Sequence, residues 1–405
     1  MTRGMIGLSV AVIVGVCVPR VVASPGFAPL FDGRTLEGWR GAADATPDAV
    51  WRVERQALTA DGGDAVLETT DAYGDVELIL EWAIEPGSVG GVWLRGASRV
   101  GIGDPLDADN PAPAGSGALT ENVRGLALPR ALADLPPGQW NTFRIRMIGE
   151  RVTVWLNHVL VTDDVVMEQK RDATRPVPAR GPIALESQTG SIRFRRVAVR
   201  VIPPAEANAV LRTRPPGGFV PLFNGKNLDG WFGSVDGYLV NDGTLVCDPA
   251  SGGLLFTDDT YGDFILRFEF RLPAGGNNGL AIRAPGTGDP AYTGMELQVL
   301  DNTADKFANL QPYQYHGSIY GLVPARRGYL RPVGEWNFQE VVCRGSRITV
   351  ELNGTTIVDA DIATIDTPMD GREHPGRHRA RGHLGFMGHG DAVAFRGIRV
   401  LRLGP

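Results

Sequence analysis

Apolar and polar residues alternate with a period of two through much of the chain. Val76, Leu78, Leu80 and Trp82 alternate with Glu77 and Glu81, and Phe264, Leu266, Phe268 and Phe270 alternate with Arg267 and Glu269. That period buries one face of a strand and wets the other, as in an antiparallel sheet packed on one side. Asn353-Gly354, set between apolar-alternating runs at 348–352 and 355–358, predicts a hairpin, because a type I′ turn needs positive φ at both positions. Helical i, i+3, i+4 stripes of useful length are absent. Many short strands with Gly-rich turns, in units of ~180 residues, predict an all-β fold, a two-sheet sandwich or jelly roll.

The pattern occurs twice. Phe27-Ala-Pro-Leu-Phe-Asp-Gly-Arg-Thr-Leu-Glu-Gly-Trp39 returns as Phe219-Val-Pro-Leu-Phe-Asn-Gly-Lys-Asn-Leu-Asp-Gly-Trp231. Asp71-Ala-Tyr-Gly-Asp75 returns as Asp259-Thr-Tyr-Gly-Asp263, Gly138-Gln-Trp-Asn141 as Gly334-Glu-Trp-Asn337, and Arg151-Val-Thr-Val-Trp-Leu-Asn157 as Arg347-Ile-Thr-Val-Glu-Leu-Asn353. Ile192-Arg-Phe-Arg195 and Val393-Ala-Phe-Arg396 close the two copies. In the first copy His158 replaces the hairpin glycine Gly354. Preserved order with small drifts in spacing marks duplication of a whole domain. The expected organisation is 25–202, a Pro-rich linker at 203–217 without an apolar period, and 218–405.

Length and charge narrow the function. A chain of 405 residues suffices for two domains with their own cores. With a net charge of −6 and no long basic run, it lacks the Lys/Arg footprint of a nucleic-acid partner. Arg3, the uncharged apolar stretch 5–18 and Val21-Val-Ala23 read as a signal peptide, 1–23, cleaved after Ala23. The mature protein is then expected to be secreted or periplasmic, without stable membrane insertion. Cys247 and Cys343 lie in apolar, strand-like runs, so buried free thiols are expected rather than a bridge.

The repeated motifs resemble the bacterial 3-keto-disaccharide hydrolase domain family, once per copy over nearly the whole mature chain. The resemblance implies two tandem concanavalin A-like jelly-roll β-sandwiches and a secreted protein acting on glycosides oxidised at C3. Trp39 and Trp231 belong to the most specific motif and read as core anchors rather than sugar platforms.

The segment Gly294-Met-Glu-Leu-Gln-Val-Leu-Asp-Asn302 carries the densest chemistry. Glu296 and Gln298 are two apart and share one strand face, backed by Met295, Leu297 and Val299; Asp301 would join them only through a bulge. Asn277-Asn-Gly-Leu-Ala-Ile-Arg283 resembles the family's preceding strand, and Arg283, set among apolar residues, needs a partner in Glu296, Asp301 or substrate. Phe386-Met-Gly-His389-Gly resembles the family's Leu-Gln-x-His-Gly, making His389 a candidate base, acid or metal ligand. His316-Gly-Ser-Ile-Tyr320 resembles a Gly-x-x-Tyr turn, with His316 and Tyr320 as binding candidates. The Arg- and His-rich stretch 372–383 reads as a solvated loop.

In the first copy, Arg95 and Asp104 align with Arg283 and Asp301, but Arg99, Gly101, Thr120 and Gln188 stand at the positions of Glu296, Gln298, Tyr320 and His389. That copy is expected to be non-catalytic, binding glycan or packing on its neighbour. Cofactor motifs are absent, and a divalent metal is conceivable but not supported by spacing. The leading expectation is cleavage of a 3-keto-glycoside by the second domain, with Glu296 or His389 as acid/base and carbohydrate as partner. The rivals are a non-catalytic carbohydrate-binding tandem, or a glucanase-like retaining glycosidase using the pair Glu296 and Asp301.

Overall fold

A computed structural model describes residues 26–42, 50–107, 115–122, 128–169 and 176–404; the predicted signal segment 1–23 lies outside the described residues. Each half is a sandwich of one eight-stranded and one five-stranded antiparallel sheet, and each sheet draws its strands from one half. The expectation of two tandem jelly-roll β-sandwiches therefore holds.

In the second half the larger sheet runs, in order, Tyr238–Asn241, Thr244–Cys247, Ala394–Arg402, Phe264–Arg271, Trp336–Arg344, Arg347–Leu352 and Thr355–Asp361, with Val220–Pro221 added beside Ala394–Arg402. The smaller sheet runs Trp231–Gly233, Gly253–Tyr261, Gly382–Gly388, Asn277–Ala284 and Met295–Leu300. The alternating residues read from the sequence fill the space between the sheets: Phe264, Leu266, Phe268 and Phe270 from one, Met295, Leu297 and Val299 from the other. Trp231 is a core anchor. Its ring stacks on Phe386 at 5.9 Å and its Nε1 donates to the Leu222 carbonyl at 2.9 Å. Trp39 repeats the bond to the Leu30 carbonyl at 2.7 Å. Cys247 and Cys343 are buried and unbridged.

The segment expected to be an irregular linker contains a helix, Pro204–Thr213, with proline in its first turn. Fewer than three turns carrying alanine and asparagine offer too weak an apolar stripe to show in the sequence, yet Ala207, Asn208 and Leu211 are buried. Leu211 packs with Ile148 of the first half and Phe338 of the second, so the helix is a wedge between sandwiches rather than a tether. Around it lies a buried ionic network: the Glu351 carboxylate accepts from Arg151 at 2.9 Å and pairs with Arg214 at 2.8 Å, while Arg267 pairs with Glu340. The predicted 353–354 hairpin tip (φ 52° and 82°) meets the first half here. A Cβ on Gly354 would sit 2.6 Å from the Ile148 carbonyl oxygen, so glycine serves both the turn and the close approach. In the first-copy turn His158 is exposed and Asn157 half-buried, and both keep the positive φ of 70° and 49°.

Candidate active site

Strand register sets the composition of the small sheet's outer face. One row across it reads Phe232, Phe256, Gly385, Ala281, Glu296, and the next reads Leu254, Met387, Gly279, Gln298. Phe256, Ala281, Ala284 and Met387 form a small apolar cluster joined by Phe232 and Leu254. The face is therefore apolar toward one edge and polar along Met295–Leu300. Glu296, Gln298 and Leu300 point the same way and floor a cavity of about 340 Å³. Its walls include Asn277, Asp289, Tyr292, Tyr320, Arg372 and His389.

Glu296 is 4% exposed, and its Oε1 has no hydrogen-bond partner among the described residues. Burial, with a smaller contribution from the Asp289 charge, pushes its carboxyl pKa up to about 8. The acid is thus mostly protonated at neutral pH. Its side chain lies over Gly279, where a Cβ would fall 2.2 Å from Oε1. Gln298 donates from Nε2 to Asn277 Oδ1 at 3.1 Å, while its own Oε1 is unpartnered among the described residues. Tyr320 is tied by its backbone N–H to the Glu296 carbonyl (2.9 Å), and its hydroxyl accepts from Gln314 at 3.2 Å. His389 belongs to an exposed turn beyond Gly382–Gly388; desolvation lowers its imidazole pKa below the ordinary value, against the opposing charges of Asp391 and Asp289. The site therefore pairs a proton-bearing carboxyl with an imidazole biased to its neutral, basic form.

Three sequence candidates fall elsewhere. Arg283, at φ 50°, points away from the cavity and is buried against Asp263 (3.2 Å) and the carbonyls of Gly262 and Gly345. Asp301 would have needed a bulge, but the pairing of Asn277–Ala284 with Met295–Leu300 runs unbroken. Its carboxylate instead accepts from the N–H groups of Gly275 and Thr303. His316 is wholly buried, its ring stacked on Phe270 at 4.8 Å; burial drives its pKa down to about 3, and the neutral ring accepts from Leu300 N–H.

The stretch 372–383 is not a solvated loop throughout. His374 is buried between Asp370 and the Ala291 carbonyl (3.1 Å each), and Arg372 lies over the Tyr292 ring at 4.3 Å as one wall of the cavity. Asp289 and Tyr292 belong to the one-turn helix Pro290–Thr293 and its N-cap, and Arg372 to a loop; all three were missed because segments so short carry no periodicity that marks a functional face. Among the described residues no group of three or more His, Cys, Asp or Glu side chains is placed to hold a metal ion.

The 3-keto-alpha-glucoside-1,2-lyase-like domain family matches the chain twice, over residues 26–200 and 218–401. The chain belongs to this family. A 3-keto-disaccharide hydrolase of Bacteroides thetaiotaomicron is 24% identical over 226 residues, covering 45% of this chain and 78% of that protein. Two crystal structures of candidate glycosyl hydrolases from Parabacteroides distasonis are 28% and 25% identical. Each covers 46% of this chain; they are themselves covered to 100% and 95%, with TM-scores of 0.42 and 0.41.

The two family domains can be superposed by register. In the first, one row reads Arg40, Glu68, Ala184, Trp93, Arg99 and the next Val66, Glu186, Gly91, Gly101. Arg99 occupies the Glu296 place and Gly101 the Gln298 place. Thr120 N–H donates to the Arg99 carbonyl (3.0 Å) as Tyr320 does to Glu296, and Gln188 follows Glu186 as His389 follows Met387. Arg99 is bonded to Glu186, to Gln188 at 3.0 Å and to Thr120 at 2.9 Å. The first domain's counterpart of the acid site is thus closed on itself by a fixed ion pair.

Proposed function

We propose that the chain cleaves 3-keto-glycosides in the cavity of its second family domain. The observation that carries this reading is the buried carboxyl of Glu296, unpartnered at Oε1 among the described residues, sharing a cavity with the imidazole of His389. A C3 carbonyl acidifies the proton on C2. His389 removes that proton, and the electron pair forms the C2=C3 enolate. As the C3 carbonyl re-forms, C1=C2 forms and the C1–oxygen bond breaks; Glu296 donates its proton to the departing oxygen. Addition of water across C1=C2 completes a net hydrolysis. Asn277, Gln298, Tyr320 and Arg372 offer hydroxyl partners and positive potential where charge develops on O3.

Retaining hydrolysis is less well supported, because the pair it would need includes Asp301, which is committed to backbone N–H groups away from the cavity. Export belongs to the reading, supported by the apolar stretch 5–18 and the small residues before Ser24. The test is a single-turnover assay of the whole chain on a 3-keto-glucoside and on its unoxidised parent. Cleavage of the keto sugar alone is expected. Equal cleavage of the parent, or binding without turnover, would overturn the reading.

A further inference from the structure

The first family domain carries a second cavity, of about 520 Å³, on its eight-stranded sheet, formed by Glu54, Arg55, Ala57, Thr59, Trp140 and Arg193. It lies on the opposite sheet from the self-paired Arg99 cluster. Three features mark it as a built site. Thr59 is 3% exposed, and its Oγ1 has no hydrogen-bond partner among the described residues. Arg55 makes no ion pair among the described residues, and Arg193 has only a 3.6 Å approach to Glu85. Trp140 lies beneath two guanidinium groups, Arg195 at 3.9 Å and Arg193 at 5.4 Å, which holds Arg193 at the cavity wall.

The turn between Arg52–Glu54 and Ala57–Ala60 adds a fourth. Both of its central residues, Arg55 and Gln56, have positive φ, 49° and 64°. The second domain makes the same turn with Asp242-Gly243, residues suited to that conformation. The first domain therefore holds a long cationic side chain in a left-handed conformation that strains it. Register shows the rest of the set is particular to this copy as well: Arg193 faces Thr59, where the second domain has Ala394 facing Val246. Trp140, by contrast, has its counterpart in Trp336, which also lies under an arginine, Arg396, at 4.0 Å.

We propose that this cavity binds an acidic saccharide, a sugar or short oligosaccharide bearing a carboxylate. Two guanidinium groups match a carboxylate. The remaining oxygen of Glu54, whose Oε1 is paired with Arg52 at 2.5 Å, accepts from sugar hydroxyls, and the buried Thr59 hydroxyl donates to them. An inorganic anion would use only the arginines and would leave Trp140 and the Thr59 hydroxyl without a sugar to meet. The volume lies within the range of small-ligand pockets. The site is independent of the catalytic reading and makes the first domain a targeting module.

The test is calorimetric titration of the whole chain with digalacturonate, cellobiose and inorganic phosphate at low and moderate salt. Digalacturonate should bind at least tenfold more tightly than either of the others, and more weakly as salt rises. Arg55→Gly should weaken that binding at least tenfold while leaving the melting temperature unchanged or higher, since glycine relieves the turn. Thr59→Val should weaken it without unfolding the chain, and Glu296→Gln should leave it unchanged. No binding of digalacturonate, equal affinity for cellobiose, equal affinity for phosphate, or full affinity in Arg55→Gly would each overturn the proposal.

Discussion

Replacing Glu296 by Gln tests the candidate acid through stability as well as turnover. Gln reproduces the shape of the protonated carboxyl but cannot ionise. The folded-state pKa of about 8 stands above the ordinary 4.5, so the folded chain holds a proton that the unfolded chain has released. The stability contributed by that proton is fully present below about pH 4.5 and is lost as pH rises toward 8. Between pH 5 and pH 8 the native protein should therefore lose roughly 3 kcal/mol that Glu296→Gln does not lose. In a thermal melt this is a difference on the order of 6–12 °C between the two proteins at pH 8, vanishing near pH 5. Turnover of the 3-keto-glucoside should fall by at least a hundredfold in the variant near neutral pH, with the difference narrowing above pH 8 as the native carboxyl ionises. Parallel stability curves for the two proteins would mean that Glu296 ionises normally in the fold. The assignment of Glu296 as a neutral-pH proton donor would then fail.

In the native protein, kcat/KM should rise with pH through a limb below 6.5, as His389 becomes neutral, and fall near 8, as Glu296 ionises; a flat profile would exclude both roles. Gly279→Ala should displace the Glu296 carboxyl and lower kcat with a modest change in melting temperature, because the new Cβ meets the far end of a side chain. Trp231→Ala should destabilise the second domain by roughly 3–5 kcal/mol, measured by denaturant titration. The fragment 218–404 should melt well below the fragment 203–404, since only the longer one retains Arg214 beside the buried Glu351 and Glu340; equal melting would show that the ionic network contributes nothing.

Much of the fold was legible because its causes are local. Alternation by two, Gly-rich turns and the duplicated motifs gave strands, sandwich and tandem organisation, and the same parity put Glu296 and Gln298 on one face. The helix Pro204–Thr213 was not legible, because its stability comes from tertiary packing against Ile148 and Phe338 rather than from its own stripe. The autonomy expected of the halves is qualified for the same reason: Arg151, Arg214 and Glu351 are far apart in sequence and meet only in the folded chain. Among the site residues, Arg283 looked functional because a lone arginine in an apolar strand needs a partner. Its partner was Asp263 of the Tyr-Gly-Asp motif.

The duplication held the information needed to avoid that error. Arg95 repeats Arg283 at φ 53° and meets Asp75, the counterpart of Asp263; Asp104 accepts from Gly87 N–H as Asp301 does from Gly275. Polar groups kept in both copies serve the one property that both copies share, the fold, and their burial with backbone partners fits that role. Polar groups that change while their strand positions persist are released from that duty: Glu296 against Arg99, Gln298 against Gly101, Tyr320 against Thr120, His389 against Gln188. These four line the second domain's cavity. The same contrast applied to the other sheet runs in the opposite direction, with Thr59, Arg193 and Arg55 set against Val246, Ala394 and Asp242. Each copy has thus diversified a different face. The proposed division of labour, chemistry in the second domain and acidic-saccharide capture in the first, would account for both contrasts with one principle, whereas simple decay of the first copy gives no reason for an arginine in a strained turn beside a buried hydroxyl that is unpartnered among the described residues.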